Sequence, residues 1–194
     1  MDILYVSADH GIPVLGRKGA SVHVRSLASA LSREGHRVVV ATPVVTRSPW
    51  DAPETIDADV LHIPADESVL EAVETMKAYA TALGDESSVP SELRRLLYNQ
   101  QMVAKLARKF RNEPPDVVYE RAALFSTVGV EVARALGVPL VVELNAPLGL
   151  EQATYRSSTL SRLSGRAERH TLAGADLVLT VSAELRRYVI GLGV

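Results

Sequence analysis

The sequence predicts an α/β fold: a doubly wound parallel sheet with helices on both faces. Three observations lead there. Six short runs rich in Val, Leu and Ile alternate with longer segments whose apolar residues recur at helical spacing. The runs are nearly continuous rather than alternating, as parallel strands covered on both sides must be. The first run is followed by a glycine-containing loop, Gly11 to Gly19, that opens directly into a helix.

In chain order, Ile3–Val6 is the first strand, and a helix over Ala20–Leu31 carries Val24, Leu27, Ala28 and Leu31 on one face, with Gly35 as its cap. The second strand, Arg37–Ala41, stops at Thr42-Pro43, and Val44–Asp57 reads as loop. Asp59–Ile63 is the third strand. Val69, Ala72, Val73, Met76 and Ala80 set a helix over Asp66–Thr81, and Gly84–Val89 breaks it. Pro90 suits the first turn of the next helix, which ends near Asn112 with Leu93, Leu96, Leu97, Ala104 and Ala107 on one side. Pro114-Pro115 leads into the fourth strand, Asp116–Tyr119, with Glu120-Arg121 at its carboxyl end. A helix is expected from about Ala122 to Leu136, then the fifth strand, Leu140–Leu144, and a loop from Asn145 through Tyr155. A helix from about Ser158 to Ala173, a strand over Leu177–Val181 and a helix over Ser182–Ile190 complete the pattern. Strand order stays open at this level.

At 194 residues the chain is sized for one domain. A formal charge of −2 gives no whole-chain argument for a nucleic-acid partner. With no cysteine, disulfides and thiolate metal sites are excluded, and a cytoplasmic location is expected. No apolar stretch approaches the roughly 20 residues of a membrane span. The start, Met1-Asp2-Ile3, enters a strand without a basic lead-in, unlike a signal peptide. The end, Gly191-Leu192-Gly193-Val194, falls at a helix cap with no further strand, which predicts the edge of a second domain.

The loop before the first helix points to an anion. A helix N-terminus past the carboxyl end of a strand offers unpaired N–H groups and a partial positive charge. Gly19 lacks a Cβ, so a phosphate can approach its backbone, and Gly16 and Lys18 complete a candidate phosphate loop. A dinucleotide site would need G-x-G-x-x-G and an acidic residue ending the second strand. The chain has Gly16-x-x-Gly19 and Ala41-Thr42-Pro43, and it lacks a P-loop motif.

Several ordered segments carry a family resemblance: Lys18-Gly19-Ala20-Ser21-Val22-His23-Val24 with Leu27, Glu34-Gly35-His36-Arg37-Val38, Asp116-Val117-Val118-Tyr119-Glu120-Arg121, Gly137-Val138-Pro139 through Leu148, and Ala175-Asp176-Leu177 through Ser182. Together they resemble the N-terminal half of a retaining glycosyltransferase of the two-domain GT-B type, family 4. The resemblance implies that residues 1–194 are the acceptor-side Rossmann-like domain. A C-terminal domain absent from this chain would bind most of the nucleotide-diphosphate sugar and carry a Glu-x7-Glu pair, and the isolated domain would be inactive. It further implies transfer of a sugar to an acceptor with retention of configuration, and no cofactor or metal. Many members have a histidine at the end of the fifth strand; Asn145 stands there and becomes the candidate catalytic residue. An amide can hydrogen-bond a sugar hydroxyl but cannot act as a base; a plain turn role before Ala146-Pro147 is the competing reading.

His10, Glu120, Arg121, Glu143, Glu151 and Tyr155 are the acceptor-binding candidates, each at or just past a strand end or in the following loop. Glu120 and Arg121 could instead pair with each other, Glu143 could face a helix N-terminus, and His23 reads as a packing residue. Arg162, Arg166 and Arg169, with Arg156 beside them, form a basic stripe that is either a solvated face or a weak contact for anionic lipid or an acidic acceptor. A binding-only module of the same fold is the alternative function.

Overall fold

The computed structural model describes residues 1–47, 53–155 and 159–194. The elements are β1 Asp2–Val6, α1 Gly19–Arg33, β2 Arg37–Thr42, β3 Asp59–His62, α2 Glu67–Ala82, α3 Val89–Lys109, β4 Val117–Arg121, α4 Val128–Leu136, β5 Leu140–Leu144, α5 Leu148–Tyr155, α6 Ser161–Ala173, β6 Leu177–Thr180 and α7 Ala183–Gly191. The six strands form one parallel sheet in the order β3-β2-β1-β4-β5-β6. The predicted doubly wound class is therefore the observed one, and the order that sequence leaves open reverses between β1 and β4.

Alternation along the strands builds two cores. Ile3, Tyr5, Val38 and Val40 face α1 and pack with Val24 and Ala28. Leu4, Val6, Val118, Leu140, Val142 and Leu144 face the opposite way, against Tyr98, Met102 and Leu106 of α3, Val130 and Ala133 of α4, Leu172 of α6 and Leu185 of α7. Helix α2 lies outside, against α3. On the α1 side of β6, Leu177, Leu179 and Val181 stay exposed. Among the described residues no helix is long and apolar enough to cross a membrane.

Two expected elements differ. The helix predicted from Ala122 begins only at Val128, because a buried polar network holds the chain between them in a turn. Glu120 accepts from the Ser126 hydroxyl at 2.5 Å and from the Gly129 N–H at 3.0 Å. Asn99 accepts from the Thr127 N–H at 2.8 Å and donates to the Thr127 hydroxyl at 2.9 Å, while Thr171 donates to the Ser126 carbonyl at 2.8 Å. Within that turn Phe125 takes φ 64°, a left-handed backbone that few non-glycine residues adopt. The loop expected through Tyr155 contains instead the helix α5. Its N-terminus is capped from α6: Glu168 accepts from the Leu148 N–H at 2.9 Å and from the Tyr188 hydroxyl at 2.5 Å. Gly149 lets these helices touch, since a Cβ there would lie 3.1 Å from the Gly165 Cα.

Two glycine substitutions separate packing from propensity. A Cβ at Gly129 would fall 2.9 Å from the Glu120 Cβ and 3.0 Å from Leu140 Cδ1, so Gly129→Ala should destabilise by about 1–3 kcal/mol. A Cβ at Gly165 would meet nothing within 4 Å, so Gly165→Ala should stabilise α6 by about 0.5–1 kcal/mol. Urea unfolding midpoints moving in opposite directions would confirm both.

Candidate functional site

Ligands of open α/β sheets gather at the carboxyl edge where strand order reverses, here between β1 and β4. The loop from β1 to α1 crosses this edge and is pinned in place. Its Val14 and Leu15 N–H groups donate to the Val44 and Val45 carbonyls at 3.0 and 2.9 Å. The Arg25 guanidinium donates to the Val14 carbonyl at 3.0 Å and also to the Gly16 carbonyl.

Within the candidate phosphate loop the residues divide. A Cβ at Gly16 would sit 2.7 Å from Pro13 Cγ and 3.0 Å from the Pro13 carbonyl, so this glycine is required by a tight turn. Gly19 is the first residue of α1, exposed, with nothing within 4 Å of where a Cβ would stand. Lys18 is its exposed N-cap and makes no side-chain cap hydrogen bond. The start of α1 is therefore exposed at Gly19, beside a cation. Ser21, in that first turn, is fully buried with a hydroxyl that has no partner among the described residues.

Next to this helix end lies a polar cluster centred on Glu143 of β5. One carboxylate oxygen accepts from the Tyr119 hydroxyl at 2.5 Å. The other lies 2.7 Å from His23 Nε2 and accepts from the Asn145 amide. The Tyr119 ring stacks on Tyr5, centroids 4.9 Å apart and planes 17° from parallel. Burial pushes both phenols well above their ordinary range, the Glu143 charge adds to it, and the Arg121 charge opposes it. Arg121 is paired with Glu143 in the strand register, and its Nε is buried without a partner among the described residues, as is the Tyr5 hydroxyl.

The acceptor candidates separate accordingly. Glu143 joins His23 of α1 rather than a backbone N-terminus. Glu120 and Arg121 are adjacent in β4 and so take opposite faces, which keeps them from pairing with each other. Glu120 is fully buried, and burial lifts its carboxyl to about 7 against the pull of Ser126 and the Gly129 N–H. It caps α4 and meets no surface, which removes it from the acceptor set. His10 lies on the α3 side, in a pocket with Asp9, Arg95, Tyr98, Asn99 and Leu124. Its ring meets Tyr98 edge-on, centroids 4.4 Å apart, and among the described residues its buried Nε2 has no partner. Glu151 is exposed on α5. The Tyr155 side chain and Arg156 lie outside the described residues, while Arg162, Arg166 and Arg169 lie on α6.

Sequence reasoning does not select His23 or Tyr119 for the site. Their only signal is positional: the second turn of the helix after β1 and the middle of β4 flank the same reversal of strand order. Helical spacing places His23 beside Val24 and so suggests packing.

A sheet wound outward from its centre, with a polar cluster and a helix N-terminus at its carboxyl edge, defines a doubly wound α/β domain. More particularly, the chain belongs to the Glycosyl transferase 4-like domain family, whose model matches residues 18–194. That match contains Lys18, Gly19, His23, Glu143 and Asn145, whereas His10 and Gly16 precede it. The fold is like that of a sucrose-phosphate synthase from Thermosynechococcus elongatus, with TM-score 0.53 and 17% identity over 98% of this chain and 44% of that one. The glycosyltransferase VinC, in complex with dTDP, aligns at TM-score 0.43 and 18% identity over 100% of this chain and 44% of that one. The chain thus spans less than half the length of either structure. No curated protein matches it in sequence.

Burial, with the charges of Arg94 and Arg95, pulls the His10 imidazole from 6.5 down to about 4, against the opposing charge of Asp9. A depressed imidazole pKa contributes stability that is full above 6.5 and is lost as the pH falls toward 4. His10→Gln should abolish that loss, so its melting temperature relative to wild type should rise as the pH drops through this window.

Proposed function

We propose that this domain is the acceptor-side half of a nucleotide-sugar-dependent glycosyltransferase that moves a sugar from a nucleotide diphosphate to an acceptor with retention of configuration. The observation that carries this is the open N-terminus of α1 at Gly19 standing beside the Glu143 cluster at one sheet edge. As the sugar–phosphate bond breaks, negative charge grows on the diphosphate. The first N–H groups of α1 and the Lys18 cation are already in place for it, so no reorganisation opposes stabilisation. Asn145, with its amide N–H engaged by Glu143, would accept from a sugar hydroxyl with its carbonyl oxygen, which bonds no other group among the described residues. In this reading Arg121 and Glu143 face the acceptor from the sheet edge, His10 from the α3 side, and Glu151 and Tyr155 from α5.

A second domain carrying most of the donor site belongs to this proposal, as do inactivity of the isolated domain and transfer without a metal. Cytoplasmic residence is part of the same reading, in keeping with a cysteine-free sequence. Arg162, Arg166 and Arg169 give α6 a basic stripe for weak contact with an anionic membrane surface. The test is a screen of nucleotide-diphosphate sugars with the complete enzyme, reading the anomeric configuration of the product by NMR.

The glycines allow a sharper check. Since a side chain at position 19 meets nothing within 4 Å, Gly19→Val should leave the melting temperature nearly unchanged yet lower turnover by about 10²-fold, because the side chain would hold a phosphate away from the backbone donors. Asn145→Ala should likewise reduce turnover far more than stability. Parallel loss of folding and activity in both variants would sink the assignment.

A further inference from the structure

On the α3 side of the carboxyl edge two cations stand without counter-charge. Arg94 and Arg95 lie in the first turns of α3, one turn before Tyr98 and Asn99. Arg95, Tyr98 and Asn99 line the pocket that holds His10, with Leu124 and Ser126 of the turn after β4 across from them. Among the described residues neither arginine forms an ion pair, and the buried Arg94 Nε has no partner. Arg95 donates to the Ser91 carbonyl of its own helix at 3.4 Å, a long bond that neutralises nothing. Asp9, the acid in the pocket lining, is engaged by the Gly11 N–H at 2.7 Å. His10 senses the excess: after burial, the charges of Arg94 and Arg95 are what pull its imidazole down to about 4, and Asp9 does not offset them. Its buried Nε2 has no partner among the described residues. Adjacent like charges and an orphaned ring nitrogen do not serve folding, and such perturbed groups gather at binding sites. The backbone agrees, since Phe125, between Leu124 and Ser126, takes φ 64°.

We propose that this pocket binds a phosphate group carried by the sugar acceptor, held by Arg94, Arg95 and His10, so that the acceptor is a phosphorylated molecule; this rests on the glycosyltransferase reading above. Charge and shape both favour phosphate over carboxylate. A phosphate monoester carries close to two negative charges at neutral pH and matches two guanidiniums, whereas a carboxylate would leave one of them unbalanced. The cavity is small, about 10 Å³, which is room for one water-sized group. One phosphoryl oxygen enters it beside His10, and the remaining oxygens meet the arginine forks. The phosphate takes no part in bond making, so its recognition appears in acceptor affinity.

The test uses the complete enzyme and has two arms. In the first, inorganic phosphate is titrated into wild type and followed by NMR. The His10 ring and the amides of Ala123 to Ser126 should shift saturably, and Arg95→Gln should abolish that shift while leaving any shift at the start of α1. Shifts confined to the start of α1, or none that saturate, would overturn the proposal without touching the transfer reading. In the second arm, phosphorylated acceptors are compared with their unphosphorylated and carboxylated counterparts. The phosphorylated member should be preferred by about 10- to 100-fold in kcat/KM, the scale of charged hydrogen bonds. Arg94→Gln and Arg95→Gln should each raise its KM by a similar factor, with the donor KM nearly unchanged, and Arg95→Lys should restore part of the loss. Equal use of the unphosphorylated acceptor, or preference for the carboxylated one, would overturn the proposal. Absence of transfer by wild type with every donor and acceptor would overturn the functional reading, and with it the acceptor role of the pocket, even where phosphate binds.

Discussion

A carboxylate buried against a helix N-terminus is the constraint on which this architecture depends. Glu120 sits in the interior beneath α4, where ionisation is opposed by burial, and the Ser126 hydroxyl and Gly129 N–H are what it has in return. Because Gly129 has no Cβ, the carboxylate can reach the first turn. Because it does, the chain from Ala122 to Thr127 is committed to a turn, and Asn99 of α3 is drawn in to close it. The same device recurs: Glu168 caps α5, and Glu92, fully buried in α3, accepts from the Leu160 N–H at 3.2 Å before α6. Each ties a helix start to an element elsewhere in the fold, satisfying N–H groups that would otherwise be orphaned and favouring negative charge at the positive end of the helix.

Against that background Glu143 is different in kind. It is nearly as buried as Glu120 and Glu92, but its carboxylate neighbours are side chains: a phenol, an amide and an imidazole. Among the described residues no helix start depends on it. Burying a carboxylate is unfavourable unless it is hydrogen-bonded, and a fold that needed only stability at this position would do as well with an apolar residue. The choice is explained if the cluster orients groups toward a substrate, and the unpaired Tyr5 hydroxyl, Arg121 Nε and Ser21 hydroxyl around the same edge point the same way.

How much of this is legible in the sequence follows from the range of each interaction. The strands and α1, α2 and α3 are written in local periodicity and in Gly35, Pro90 and Pro114-Pro115, and they lie within a few residues of where that pattern puts them. The start of α4 and the existence of α5 are decided by Glu120, Asn99 and Glu168, whose partners lie outside the local window, so periodicity does not show them. The same holds at the site. Gly19 and Lys18 are readable because a loop opening a helix is a local signal, and Asn145 because it ends a strand. Glu120 is misplaced by its position because a strand end does not reveal which face a residue takes. His23 escapes because its partner, Glu143, comes four strands later in the sheet's chain order.

The carboxyl edge combines a rigid frame with an open approach. Arg25 and the chain after β2 hold the loop up to Gly16, Pro13 fills the space above Gly16, and the capping glutamates fix the helices on the opposite face. Of the glycines in this loop, only Gly19 leaves its surroundings clear. The exposed start of α1 at Gly19, beside Lys18, lies across the edge from the Glu143 carboxylate, which accepts from Tyr119 and Asn145 and stands 2.7 Å from His23 Nε2. Preorganisation of this sort places the cost of ordering in folding rather than in the reaction. A loop free to rearrange would have to be ordered before it could hold a ligand, and Arg25 and the chain after β2 already order this one.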